Sequence, residues 1–301
     1  MPLRVIEYRQ LIQILVIFLI VQFLGLLLAT QVYSVATLVQ VTSVQAVSSS
    51  VNALFYIIYV VVVSAILLFL FKIFKGDRLF VIIEGVVIFI ASAMVFLIAL
   101  GVATGGLASD LFGAGNLYDF VAAAVLAIAL VVAKNRIPRL RNFAAILASV
   151  GVGAILGITF SFFVAFIFMV LLAVYDFIAV FITKHMVALA DMAINKNLAF
   201  LVMVNEIKAV PERSLSANER AEFERSRAEL VKRGGVFKNL VNSNMVPVAA
   251  RTALGTGDLA MPLMMAVAAY KVFASFTFSI VIIIGATFGL ILTMLILRKF
   301  K

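Results

Sequence analysis

Cysteine is absent from this 301-residue chain, and histidine occurs once. No cysteine means no disulfide framework, no thiolate metal site and no thiol nucleophile. A single histidine, His185, leaves no basis for a histidine triad or a multi-histidine metal centre. Charge is scarce too: 13% of the residues are charged and 65% are apolar, against about 25% and about 45–50% in an average soluble domain. So little polar surface cannot cover a water-soluble globule of this size. The composition is that of a polytopic membrane protein.

What the chain has is long apolar runs, at 11–29, 52–71, 79–103, 117–133, 143–157, 158–182, 245–270 and 273–297. Set against the roughly 20 residues needed to cross the hydrocarbon, they predict an all-α fold of about eight transmembrane helices. The first run exceeds the about 7–15 apolar residues of a secretory signal, so it reads as an anchor. Residues 143–182 form one unbroken run, which as a single helix would extend about 60 Å, twice a bilayer core. It must therefore fold back. Gly151, Gly153 and Gly157 offer a small packing face and a place to turn.

Lys and Arg outnumber Asp and Glu by 24 to 14, a net charge of +10, and their positions explain the excess. Basic residues collect in the cytoplasmic connections of membrane proteins. Arg4 and Arg9 precede the first run, none lies in 30–51, and Lys72, Lys75 and Arg78 follow the second. None lies in 104–116, Lys134, Arg136, Arg139 and Arg141 follow the fourth run, and ten lie in 183–244. Lys271 stands on the far side, and Arg298, Lys299 and Lys301 close the chain. The alternation places both termini and the 183–244 segment in the cytoplasm. The basic excess is thus a topogenic signal and a lipid-surface contact, not a nucleic-acid footprint.

Three parts follow: a six-helix membrane part (1–182), a polar cytoplasmic loop (183–244) and a C-terminal membrane part (245–301). Within the loop, Ser216-Ala217-Asn218-Glu219 has the form of a capping box opening a solvated helix to about Arg233, which Gly234-Gly235 stops. The uncharged 31–51 stretch reads as an external loop.

A carboxylate in the membrane interior costs about 2.5–3.5 kcal/mol on insertion scales, so each one needs a reason. Most of the acids lie in loops or near helix ends; Glu84, Asp176 and Asp258 remain. Glu84 sits near the inner end of its run, where snorkelling or a pair with a loop arginine explains it. Asp176 follows eighteen uncharged residues, and Asp258 lies seven past Arg251, so both fall roughly 10 Å from the inner face if these runs are helical. They lie on consecutive spans. Arg251 would share a face with Asp258 about two turns away.

Two carboxyls meeting at one depth in a low-dielectric bundle share a proton and titrate as a pair. That arrangement serves aspartic proteolysis: one acid takes a proton from water while the other polarises the scissile carbonyl. No metal, cofactor or side-chain nucleophile is required. Gly255 and Gly257 let a substrate backbone approach and let the helix begin irregularly beside a wet cavity. Pro262 has no amide hydrogen for the carbonyl of Asp258, so the helix is weakened there. The same two acids would equally suit a proton- or cation-coupled carrier with a discontinuous helix, and spacing alone does not separate the two.

Tyr175-Asp176, the run Thr183-Lys184-His185-Met186-Val187-Ala188-Leu189-Ala190, and Gly255-Thr256-Gly257-Asp258 resemble the presenilin and signal-peptide-peptidase family of intramembrane aspartyl proteases, most closely its archaeal members. The resemblance implies hydrolysis of peptide bonds within transmembrane segments of other proteins in a prokaryotic cell membrane, with Asp176 and Asp258 as the catalytic dyad. Tyr175 would border the site, Gly255 and Gly257 would shape the approach, and Thr256 would bear on substrate preference. His185, past the inner end of the sixth run and beside Lys184, reads as an interfacial structural residue. The resemblance also implies nine spans and a Pro-Ala-Leu motif. None of the five prolines (Pro2, Pro138, Pro211, Pro247, Pro262) is followed by Ala-Leu. A shortened chain, a divergent member, or an inactive scaffold that keeps the acid pair are the corresponding expectations.

Overall fold

The computed structural model describes residues 3–38, 58, 77–106, 117–178, 201–211 and 245–299. In chain order these form α1 (Leu3–Leu38), α2 (Asp77–Thr104), α3 (Leu117–Arg136), α4 (Pro138–Thr159), α5 (Phe162–Phe177), β1 (Leu201–Pro211), β2 (Met245–Gly255), α6 (Thr256–Phe273) and α7 (Phe276–Lys299). The fold is polytopic and α-helical, and among the described residues β1 pairs with β2 in a two-stranded sheet. Among the described residues, five helices are long and apolar enough to cross a membrane: α1, α2, α3, α4 and α7. The 52–71 run, the 216–233 helix and His185 fall outside the described residues. The chain divides into two compact units, residues 1–14 with 203–253, and residues 15–202 with 254–301. The first contains most of the sheet, and the second contains the helical bundle.

Local chemistry explains where the helices stop. Nothing in 30–38 breaks a helix, so α1 continues through the start of the stretch expected to be an external loop. Gly105, at φ 72°, terminates α2 in the left-handed conformation that suits glycine. A single residue, Ile137, separates α3 from α4, and Pro138 opens α4 where its missing amide hydrogen costs nothing. The basic cluster 134–141 therefore sits largely on helix ends and not in an open loop.

The long 143–182 run does reverse, although not at Gly157. α4 continues to Thr159, Phe160 and Ser161 are extended, and the Ser161 hydroxyl accepts from the Val164 amide at 3.4 Å to open α5. Gly151, Gly153 and Gly157 instead all serve contact. A Cβ at Gly151 would lie 2.5 Å from the Ala91 carbonyl oxygen. At Gly153 it would lie 2.8 Å from that of Ala260, and at Gly157 2.8 Å from that of Met264. Small residues let these backbones touch.

The seventh run differs most from expectation. Residues 245–255 are a strand, and the helix begins only at Thr256. Hydropathy alone does not separate an apolar strand from a buried helix. Pro247 and the glycines at 255 and 257 disfavour helix here, while Val246, Val248 and Thr252 suit a strand. Arg251 consequently lies on β2 and shares no helix face with Asp258.

α6 is the hub of the bundle. Leu259, Ala260 and every residue from Leu263 to Ala269 are buried, so the helix is covered on all sides. α1 runs parallel to it, with Gly25 against Leu263 and Tyr33 against Tyr270. α4 is also parallel, with Gly153 against Ala260 and Gly157 against Val267. α5 is antiparallel: Phe162 meets Phe273, and Val164, Ala165 and Phe168 share a core with Met264, Met265 and Ala268. α7 is antiparallel as well, its Ser279 hydroxyl donating to the Ala266 carbonyl at 2.7 Å. At the far end of α6 the Lys271 ammonium donates to the carbonyls of Ile158 (2.6 Å) and Phe160 (2.7 Å), capping α4.

α2 and α3 pack antiparallel and hold a buried ion pair. Lys134 Nζ lies 2.7 Å from Glu84 Oε1, and both side chains are about 97% removed from solvent. Glu84 is buried and so does not snorkel, and its carboxylate pairs with a lysine in the last turn of α3. At the opposite end of this helix pair, the Thr104 hydroxyl donates to Asp119 Oδ2 at 3.2 Å, in the first turn of α3 where a carboxylate is favoured.

Candidate active site

The antiparallel packing of α5 on α6 brings the end of one helix beside the start of the other. Asp176 stands in the last described turn of α5 and Asp258 in the first turn of α6. The two acids therefore stand at the same end of the α5–α6 pair. Asp258 is exposed and Asp176 half-buried, whereas Leu259 and Ala260 just beneath are fully covered. The pair thus occupies an accessible position at the rim of a packed core. The seven helical residues expected between Arg251 and Asp258 are instead the end of β2 and the first turn of α6.

The Gly-x-Gly-Asp segment is a helix start. Gly255 is the N-cap (φ −64°, ψ 141°), Thr256 and Gly257 are the first two helical positions, and Asp258 is the third. A carboxylate at the third position can reach back to the N-cap amide, the second half of a capping box. Here Asp258 hydrogen-bonds the backbone of Gly255 in that way, which aims its carboxyl. A Cβ at Gly255 would lie 3.1 Å from Asp258 Oδ2, so glycine leaves that bond undisturbed. Gly257 is exposed, and no described atom lies within 4 Å of where its Cβ would stand. Tyr175 and Thr256 are half-buried beside the two acids.

A cavity of about 120 Å³ adjoins this helix start. Val87 and Ile88 of α2, Ala148, Ser149 and Val152 of α4, and Thr256, Gly257, Ala260 and Met261 of α6 line it. Its wall is apolar apart from the two hydroxyls. Ser149, 1% exposed, shares its hydroxyl proton between the Ala145 carbonyl (2.8 Å) and the Thr256 carbonyl (3.2 Å).

The Signal-peptide peptidase, presenilin aspartyl protease family model matches residues 15–300. The chain belongs to that family. Members of the signal-peptide peptidase and presenilin family are intramembrane aspartic proteases that act on membrane-protein segments, and this chain is accordingly an integral membrane protein. Its fold is similar to a solved structure described as a presenilin family intramembrane aspartate protease, with a TM-score of 0.59 and 22% identity over 96% of this chain and 89% of the other. No curated protein sequence matches significantly.

Sequence reasoning isolated the two acids because a charge in an apolar run is conspicuous. It passed over Gln22, Ser149 and Lys134. Gln22 carried a signal: it is the sole polar side chain between Ile14 and Ala29. Lys134 was masked by its place in a basic cluster, and Ser149 by the ease with which a serine satisfies itself on its own helix.

Proposed function

We propose that the protein is an intramembrane aspartic endopeptidase in which Asp176 and Asp258 activate water against a peptide bond of a transmembrane substrate. The observation that carries this reading is the antiparallel packing of α5 on α6, which sets the helix end bearing Asp176 beside the helix start bearing Asp258 at an accessible junction. Two carboxyls sharing one site repel when both are ionised, so one is ionised and the other protonated. The ionised carboxylate takes a proton from water as the water oxygen bonds to the scissile carbonyl carbon, and its partner gives its proton to the carbonyl oxygen. From the resulting diol, the first acid protonates the departing nitrogen as the C–N bond breaks, and the second recovers a proton from a diol hydroxyl. No metal or cofactor takes part.

Tyr175 borders the acids, and Thr256 and Gly257 face the approaching substrate backbone. The adjoining apolar cavity is suited to an aliphatic or aromatic side chain; a 150 Å³ apolar cavity takes up benzene. The Lys and Arg distribution supports a multi-pass protein of a prokaryotic cell membrane with the N-terminus and the 183–244 segment in the cytoplasm.

Cleavage of a single-span peptide in proteoliposomes tests the reading. Asp176→Asn and Asp258→Asn should each abolish cleavage while leaving the protein folded, and persistence of activity in either variant overturns the assignment. If the wild-type protein cleaves nothing and instead dissipates a proton or cation gradient, the acids serve a carrier. If it does neither, the chain is a scaffold.

A further inference from the structure

The turn that carries Asp258 is internally weak. Pro262 has no amide hydrogen, so the Asp258 carbonyl lacks its helical donor four residues ahead. The turn has one helical bond fewer than its neighbours, so a donor from elsewhere that grips its backbone would stiffen it. One does, from the opposite end of the chain. The Gln22 side chain of α1 donates from Nε2 to the carbonyl of Leu259, the residue after Asp258, at 2.9 Å in a fully buried setting. Its orientation is fixed chemically, since the other amide atom would set oxygen against oxygen.

The Gln22 Oε1 atom, by contrast, is buried without a hydrogen-bond partner. A desolvated, unpaired carbonyl is a liability that Met or Leu would not carry at the same place. Gln22 is therefore a poor residue for packing, and what it contributes is the donor. Gly25, one turn along α1, lets the two helices approach so closely that a Cβ would collide with Leu263, which keeps the amide within reach of α6. On the α4 side Ser149 holds the Thr256 carbonyl, two residues before Asp258. The backbone is thus gripped immediately before and after the acid.

Building on the proteolytic reading, we infer that Gln22 is a positioning residue that sets the main-chain location of Asp258 relative to Asp176. Ser149 assists, more weakly because its proton is shared. The substitution Gln22→Met keeps side-chain length, removes the donor and removes the unpaired oxygen. It should lower kcat about tenfold with KM unchanged, while thermal stability stays level or rises. Gln22→His, which returns an Nε2 donor, should recover part of the rate, and Ser149→Ala should cost less than Gln22→Met.

A second measurement does not depend on activity. The chain has no native cysteine, so Asp176→Cys with Asp258→Cys supplies a clean cross-linking pair. Adding Gln22→Met should lower the disulfide yield at least twofold. Equal yields with and without it overturn the inference, as does a fall in kcat that merely tracks lost stability. If the wild-type protein cleaves nothing, the proteolytic reading fails on its own, and the cross-linking comparison still decides whether Gln22 positions residue 258.

Discussion

The Glu84–Lys134 pair permits a quantitative test of how the bundle tolerates charge. At 2.7 Å, opposite unit charges attract by about 6 kcal/mol for an effective dielectric of about 20. Desolvating both ions costs several kcal/mol each, so the intact pair is close to neutral for stability. Removing one partner is different, because the other ion stays buried after losing its nearest opposite charge, at a cost of about 3–5 kcal/mol. The two single changes should not be equal. After Glu84→Gln, Lys134 still lies in the last turn of α3, where the helix dipole favours a cation, and still reaches Asn135 Oδ1 at 3.4 Å. After Lys134→Met, Glu84 keeps a buried negative charge facing that same negative helix end. Glu84→Gln should therefore cost near 3 kcal/mol and Lys134→Met near 5 kcal/mol. The double change Glu84→Met with Lys134→Met should be within about 1 kcal/mol of wild type or more stable. Reversible unfolding in mixed micelles measures all three. If the double variant is as unstable as the sum of the singles, the charges do not compensate each other and the reasoning fails.

Gly153→Ala places a methyl 2.8 Å from both the Ala260 carbonyl oxygen and Leu263 Cδ2; it should destabilise the bundle by about 1–3 kcal/mol in the same unfolding assay, as overpacking does. Gly257→Ala meets no described atom within 4 Å, so its melting temperature should match wild type, and any loss of cleavage then reports a clash with bound substrate. Lys271→Met removes the donor that the Ile158 and Phe160 carbonyls share, and should cost about 1–3 kcal/mol, read by thermal unfolding.

Much of the architecture was legible because hydrocarbon imposes length and polarity limits that a sequence displays openly. The ends of α2, α3 and α7 lie within a few residues of the apolar runs that announced them. The reversal inside 143–182 was required by length, but its place was not, since Gly157 and Phe160-Ser161 offer comparable excuses to turn and only the fit against α6 chooses. The strand at 245–255 was hidden for a related reason: an apolar stretch flanked by helix breakers satisfies either periodicity until its pairing partner, 201–211, is known. At the site, Asp176, Asp258 and the glycines were visible as exceptions to an apolar background. The donors that hold the backbone beside Asp258 were not, because Gln22 and Leu259 are separated by 237 positions and nothing in either neighbourhood refers to the other.

The position of α6 within the chain has a consequence for biosynthesis. Asp258 is borne on α6, which slots between α1, α4 and α5, all three of them earlier in the chain. Until residues 256–273 enter that slot, Asp176 faces no second acid. On the proteolytic reading the acid pair is completed only when α6 docks, so docking doubles as the moment of activation.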